Sequence, residues 1–343
     1  MNLSDICSVS GCISATAPRA LRIAVMVSVL FATASGQSVQ PHQISSRGMD
    51  AIKGIVSALH EYPVVLLGED HWLLQAGDFY IALVRDPGFQ EAVQDIVVEF
   101  ASRGDQGLLD RYIAGEDIPF AQVEHIWRDT TKVASWESPI YANWLAAIRQ
   151  VNKNRSPSRR IRVLAGDTPI DWHRIQAHSE WAALGDNNVS FAEVITSEVL
   201  AKRHHALVVL GAGHVKKSGK QDEGGDTTVR VDSRFPGSTF VVLLDYWGLV
   251  APEAQEKIDS QDQTPPALCA LKDTSLGAVP DRSGVPLAKQ ADALLYLGPP
   301  TRFTMAFPAP GSLEPDYLAE VDRRSMIEWG ELRARKLLGP AAH

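Results

Sequence analysis

The chain has 343 residues, of which 45% are hydrophobic and 22% are charged, and its formal net charge is −8. This composition is typical of an ordinary globular protein, and the acidic balance without a basic stripe argues against nucleic-acid binding. The length allows one large domain or two modest ones.

The N-terminal segment has the pattern of a secretory signal. Arg19 and Arg22 precede the apolar run 23–34, and the small residues Ser35 and Gly36 come directly before Gln37. We therefore predict a signal peptide at residues 1–36 and export to the periplasm or the extracellular space. The run is too short to cross a bilayer, so no stable membrane span is expected after cleavage.

Two of the three cysteines, Cys7 and Cys12, lie in this leader, and Cys269 is the third. A mature chain that starts at Gln37 would have a single cysteine. Neither an intramolecular disulfide nor a cysteine-based zinc site is expected in it.

Short apolar runs alternate with amphipathic segments along the rest of the chain. The amphipathic segments predict helices at 46–60, 73–85, 106–114, 121–127, 136–152, 175–184, 191–204 and 316–338. The apolar runs predict strands at 63–67, 95–100, 160–164, 206–210, 239–244 and 291–297. Residues 216–226 are predicted to form a mobile loop, and an irregular region is expected between 261 and 286.

The strands are apolar on both faces and are mostly separated by helices. This pattern predicts the α/β class, with a mostly parallel central sheet and helices on both faces. We expect residues 37–343 to form a single domain.

Polar residues with useful chemistry follow five of the six predicted strands. In chain order these residues are Glu69 and His71, then Glu99, Asp167, His214 and Asp245. The carboxyl ends of parallel strands share one edge of the sheet, where ligands of such folds bind. Two histidines and several carboxylates can perform general acid–base catalysis, with a carboxylate orienting an imidazole. The same residue types can also bind a divalent metal.

Other candidates are better explained without a functional role. They are the lone histidines His125, His173 and His178, the tryptophans Trp72, Trp136, Trp144 and Trp172, and the pair His204 and His205. We expect packing or surface positions for the lone histidines, core packing for the tryptophans, and favourable contact with a helix C-terminus for the pair. Asp171 is a weaker candidate for lining the site. No nucleophile elbow, His-Glu-x-x-His motif or phosphate-binding loop is present.

Three stretches carry a family resemblance: Val65-Leu66-Leu67-Gly68-Glu69-Asp70-His71, Val97-Val98-Glu99-Phe100 and Val209-Leu210-Gly211-Ala212-Gly213-His214. Together they resemble the erythromycin-esterase-like and ChaN-like superfamily, to which the Tiki-type proteins are distantly related. The esterase branch implies metal-independent hydrolysis with a histidine as general base. The ChaN branch implies haem or iron binding, and the Tiki type implies a metal-dependent peptidase.

The sequence departs from both main branches. The spacing of Glu69 and His71 is that of ChaN and is one residue shorter than in the esterases. The histidine-rich continuation that would bind haem is replaced by Leu74-Gln75-Ala76-Gly77-Asp78.

From these observations we expect an exported hydrolase that acts on an ester or related acyl bond of a small-molecule substrate and needs no cofactor. His71 would be the general base, Glu69 and Glu99 would orient it or the water, and His214 would be a second acid or an oxyanion donor. Asp167 would complete this set.

Two alternatives remain open. One is a periplasmic protein that binds haem, iron or another divalent metal as its ligand through Glu69, His71 and His214. The other is a scaffold with a degenerate site.

Overall fold

The computed structural model describes residues 48–218, 226–261 and 263–342. The predicted signal peptide and residues 219–225 of the predicted mobile loop lie outside these ranges. All described residues belong to one compact unit. The domain boundary at residue 37 stays a prediction.

The described residues form one eight-stranded sheet with the order β1-β7-β8-β6-β2-β5-β3-β4. In chain order the strands are β1 (Met49–Asp50), β2 (Val64–Glu69), β3 (Asp95–Ser102), β4 (Arg162–Asp167), β5 (Ala206–Gly211), β6 (Thr239–Leu244), β7 (Ala267–Ala270) and β8 (Ala293–Tyr296). The six predicted strands are β2, β3, β4, β5, β6 and β8, and they pair in parallel. The predicted fold class is therefore confirmed.

The prediction was wrong at the other end of the sheet. β7 lies in the region expected to be irregular and pairs antiparallel with β8. β1 lies where a helix was expected and pairs antiparallel with β7. β1 has only two residues, and β7 is ordered by its pairing with β8, in which Leu268 lies opposite Leu295.

Fourteen α-helices are found in the described ranges. They are α1 (Ala51–Glu61), α2 (Leu74–Arg85), α3 (Pro87–Ala92), α4 (Gln106–Ala114), α5 (Phe120–Val123), α6 (His125–Arg128), α7 (Pro139–Lys153), α8 (His178–Ala182), α9 (Asn187–Val194), α10 (Ala212–Val215), α11 (Thr227–Arg234), α12 (Pro252–Asp259), α13 (Leu287–Gln290) and α14 (Pro315–Trp329). None of them is both long and apolar enough to cross a membrane.

Two predicted helices end early. α14 stops at Trp329 because Gly330 takes a left-handed conformation with φ of 70°. The helix expected at 191–204 leaves α-geometry after Val194, continues as a π-turn and a 3-10 turn, and ends at Arg203, where φ is 58°. The helices α3, α10, α11, α12 and α13 were not predicted.

Helices cover both faces of the sheet, as predicted. α1, α2, α3, α4 and α7 pack on one face, around Phe79 and Trp144. α9, α11, α12 and α13 pack on the other, around Phe191 and Ile258. A smaller cluster joins α14 to the loop between α6 and α7, and contains Trp172 and Val321.

Candidate active site

The predicted site residues meet because β5 pairs with both β2 and β3. The last residue of β2, Glu69, is level with the last residue of β5, Gly211. His71 lies just beyond β2, and His214 lies on α10, directly after β5. The structure thus brings Glu69, His71, Glu99 and His214 to the carboxyl edge of three neighbouring strands.

Glu69 holds the imidazole of His71. The Nδ1 atom of His71 donates to Glu69 Oε1 at 2.8 Å. The hydroxyls of Tyr80 and Tyr141 donate to Glu69 Oε2 and Oε1 at 2.8 and 3.0 Å. Only 3% of the Glu69 side chain is exposed, so three donors fix a carboxylate that is shielded from water.

The second ring nitrogen of His71 faces a narrow space beside β5. A methyl group at Gly211 would lie 3.0 Å from His71 Nε2 and 3.4 Å from Glu99 Oε2, so a side chain at this position would crowd the imidazole. The edge of Trp136 packs against the imidazole at 4.7 Å between ring centroids. The ring keeps 30% of its surface exposed, and no described residue bonds to Nε2.

The electrostatics of the site favour a protonated His71. Burial disfavours the imidazolium, but the hydrogen bond to Glu69 and the charges of Glu99, Glu69 and Asp70 outweigh it. Together they raise the pKa of His71 to about 9. In the free protein His71 is therefore a cation at neutral pH.

Glu99 organises the other half of the site. Its Oε2 atom accepts the Gly211 N–H at 2.6 Å, and its Oε1 atom lies 3.5 Å from Nε2 of His214. Nδ1 of His214 lies 3.0 Å from Oδ1 of Asn188, an oxygen that also accepts from Thr227. An amide oxygen can only accept, so Nδ1 of His214 carries a hydrogen.

Glu99 and His214 each favour the charged form of the other. Burial opposes ionisation of Glu99, but His214, His71 and the Gly211 N–H lower the pKa of Glu99 to about 2. Burial likewise opposes the His214 imidazolium, but the hydrogen bond and charge of Glu99 raise the pKa of His214. Both ring nitrogens of His214 thus face acceptors. Its predicted role as acid or oxyanion donor stays a prediction.

The two carboxylates approach from opposite faces of the sheet. Glu69 follows Val65 and Leu67 in alternation and points to the face covered by α2 and α7, which supply the tyrosines. Glu99 follows Val97 and points to the face covered by α9, which supplies Asn188. Each carboxylate is therefore fixed by different helices.

The turn after β2 carries backbone strain. Trp72 has φ of 67°, which is unfavourable for any residue with a side chain and costs about 1–3 kcal/mol. Its indole N–H donates to Ser135 O at 2.5 Å, and its carbonyl accepts from Ala306 N at 2.7 Å. These contacts keep His71, its neighbour, directed towards β5.

Asp167 and Asp245 lie at the predicted edge but are occupied elsewhere. Asp167 accepts from Thr131 and Asn187 at 2.6–2.7 Å, and burial raises its pKa to about 7. Asp245 accepts from Gln255 at 2.8 Å, and burial raises its pKa to about 7 as well. Neither carboxyl bonds to His71 or His214, and the predicted catalytic role of Asp167 stays a prediction.

The weaker histidine and aspartate candidates take positions outside the site. His125 pairs with Asp129, His178 bonds to Ile327 O, Asp171 pairs with Arg174, and His173 is exposed. Two more histidines differ from expectation: His204 bonds to Asp95 at 2.7 Å, and His205 bonds to Leu59 O. Trp136, Trp144 and Trp172 are core residues as expected, whereas Trp72 is half-buried.

The predicted metal ligands, Glu69, His71 and His214, can be compared with the ligands that a metal ion requires. Within the described ranges, no three His, Cys, Asp or Glu residues are placed to hold a metal ion. In the predicted ligand set, Nδ1 of His71 and both nitrogens of His214 already face other side chains. His71 Nε2 is the nitrogen of these two rings that remains available, and the metal site stays a prediction.

The supporting residues were not found from the sequence. Tyr80 and Tyr141 lie on helices 11 and 72 residues along the sequence from Glu69, and Asn188 lies on a helix 26 residues from His214. No spacing in the sequence relates them to Glu69 or His214.

Comparison with known proteins supports the fold alone. No protein-family model and no curated protein matches the chain. A succinoglycan biosynthesis protein aligns with a TM-score of 0.51 at 10% identity, over 77% of this chain and 98% of its own. A Bacillus cereus protein aligns with a TM-score of 0.50 at 11% identity, over 72% and 91%.

The haem-bound ChaN of Campylobacter jejuni is also similar, with a TM-score of 0.31 at 13% identity. The alignment covers 57% of this chain and 86% of ChaN. The family resemblance of the sequence motifs, like family membership, stays a prediction.

Proposed function

We propose that the protein is an exported hydrolase that cleaves an ester or related acyl bond, with His71 as its proton-transfer group. The observation that carries the proposal is the Glu69–His71 pair, 2.8 Å apart, with Nε2 left open beside Gly211. A carboxylate on one ring nitrogen and an open second nitrogen is the arrangement of a general base. The motifs resemble the superfamily that includes the esterase branch, although the spacing of Glu69 and His71 is that of ChaN.

The two ring nitrogens of His71 have separate roles in the proposed reaction. Neutral His71 accepts a proton on Nε2 from a water molecule that attacks the acyl carbon. Glu69 stabilises the imidazolium that forms, because the hydrogen on Nδ1 is already directed at its oxygen. The imidazolium then returns the proton to the leaving alkoxide, and the free acid and alcohol are released.

Glu99 and His214 have a positioning role in this proposal. The ionised Glu99 fixes the Gly211 N–H and His214, and so keeps the end of β5 next to His71. Its negative charge also supports the imidazolium of His71.

The raised pKa of His71 has a consequence for the rate. With a pKa of about 9, about one molecule in a hundred has the neutral base at pH 7. Below pH 9, this neutral fraction rises about tenfold for each unit by which the pH increases. The proposal therefore predicts a hydrolase that works best under alkaline conditions.

The test is a comparison of two histidine variants on a panel of p-nitrophenyl esters. His71→Asn is expected to lose about 10²–10⁴-fold in kcat/KM, the usual contribution of a general base. His60→Asn is the matched control, because His60 is an exposed residue at the end of α1. Circular dichroism checks that both variants are folded.

Unchanged hydrolysis by the folded His71→Asn variant would contradict the proposal. The absence of hydrolysis in the wild type, together with a Soret band that appears with haemin and is lost in His71→Asn, would favour the haem-binding alternative.

A further inference from the structure

A cavity of about 390 Å³ lies at the opposite edge of the sheet from the proposed site. It is formed where β3 and β4 begin, below the end of α4, and Ile113 and Ile161 supply its apolar lining. This volume is within the range of small-molecule sites in proteins.

Asp95 is a buried carboxylate in the wall of this cavity. It is fully buried, and its Oδ2 atom bonds to His204 at 2.7 Å. Its Oδ1 atom has no hydrogen-bond donor among the described residues, and its nearest cation is Arg162 at 3.8 Å. A buried carboxylate oxygen without a donor is costly.

Arg160, in the same wall, has a buried hydrogen-bond donor without an acceptor. Its Nε atom is buried and has no acceptor within the described parts of the chain. Two nearby arginines form ion pairs: Arg159 pairs with Glu91, and Arg162 pairs with Glu198 at 3.4 Å. A guanidinium donor buried without an acceptor favours an anion in the space that it lines.

We propose that this cavity is a second ligand site, for a small molecule that carries both an oxyanion and a hydrogen-bond donor. Arg160 would bind the oxyanion, a carboxylate or a phosphate. Oδ1 of Asp95 would accept from a hydroxyl or ammonium group of the same molecule. A simple anion would bond only to Arg160 and would be repelled by the charge of Asp95. The ligand therefore carries both an oxyanion and a hydrogen-bond donor.

The test is the binding of two probes to the full chain, measured by thermal unfolding and calorimetry. O-phospho-L-serine carries the oxyanion and the ammonium group, and inorganic phosphate carries the oxyanion alone. Phosphoserine is expected to raise the melting temperature at lower concentration than phosphate. Arg160→Gln is expected to weaken both probes at least about tenfold, whereas the neighbouring Arg159→Gln keeps the wild-type response.

Asp95→Asn separates the two halves of the site. It is expected to bring the response to phosphoserine down to that of phosphate. If this variant does not fold, the Arg160 and Arg159 pair still decides the matter. The proposal is overturned if neither probe shifts the wild type, or if Arg160→Gln responds as the wild type does.

Discussion

The pKa of one histidine sets the chemistry of the proposed site. His71 is surrounded by three carboxylates, and Glu69 makes the direct contact. Glu69 is itself immobilised by two tyrosine hydroxyls, so it cannot turn away when His71 loses its proton. The imidazolium is therefore favoured by fixed groups that need no rearrangement.

Replacing Glu69 by glutamine should lower the pKa of His71. A neutral amide removes both the charge and the strong acceptor at Nδ1, and burial then disfavours the imidazolium. We expect the pKa of His71 to fall by more than about one unit, as measured by NMR titration of its ring. Glu61→Gln is the control, because Glu61 is exposed at the end of α1. An unchanged pKa in Glu69→Gln would show that Glu69 is not the group that holds the proton on His71.

At the scale of elements, a side chain of α4 bonds to the backbone of the last strand of the sheet. β4 is the last strand, so one side of its backbone has no partner strand. The amide of Gln106, at the start of α4, donates to Val163 O at 2.9 Å and accepts from Ala165 N at 2.8 Å. It bonds to the strand as a neighbouring backbone would, which protects the edge from pairing with another chain.

Gln106→Ala should destabilise the protein through this edge. It leaves the Ala165 N–H and the Val163 carbonyl without partners, at a cost of about 1–3 kcal/mol in the free energy of unfolding. Urea denaturation measures the change, and light scattering tests whether the open edge promotes association. Gln122→Ala on α5 is the matched control, since Gln122 is exposed. A loss below about 0.5 kcal/mol, the usual range of a surface substitution, would contradict the role of Gln106.

At the scale of the whole molecule, the sequence predicts elements that are stabilised by their own apolar pattern. Each of the six parallel strands carries a buried run such as Val64–Glu69, and the alternation with helices places their ends at one edge. The strands β1 and β7 could not be predicted, because β1 has only two residues and pairs with β7, and the order of β7 depends on its pairing with β8. For the same reason, Glu69 and His214 could be predicted from the sequence, whereas Tyr80, Tyr141 and Asn188, which bond to them, could not.

The C-terminal helix is an example of support that only the folded chain reveals. Arg324 on α14 donates to Arg128 O at 2.6 Å and to Asp129 at 3.0 Å, and Glu328 accepts from Val133 N at 3.4 Å. These bonds hold the loop that carries Trp136 against His71. One wall of the proposed site thus depends on a helix almost 200 residues away in the sequence.

The most direct test of the central claim is the pH dependence of kcat/KM for an activated ester. The neutral form of His71 is the base, and its pKa is raised to about 9, so the proton must leave before the enzyme can act. We expect log kcat/KM to rise with a slope of about one up to pH 9 and then to level off. We also expect Glu69→Gln to move this bend to lower pH. A profile that is flat or falling between pH 7 and 9, or a bend that stays in place in Glu69→Gln, would contradict the central claim.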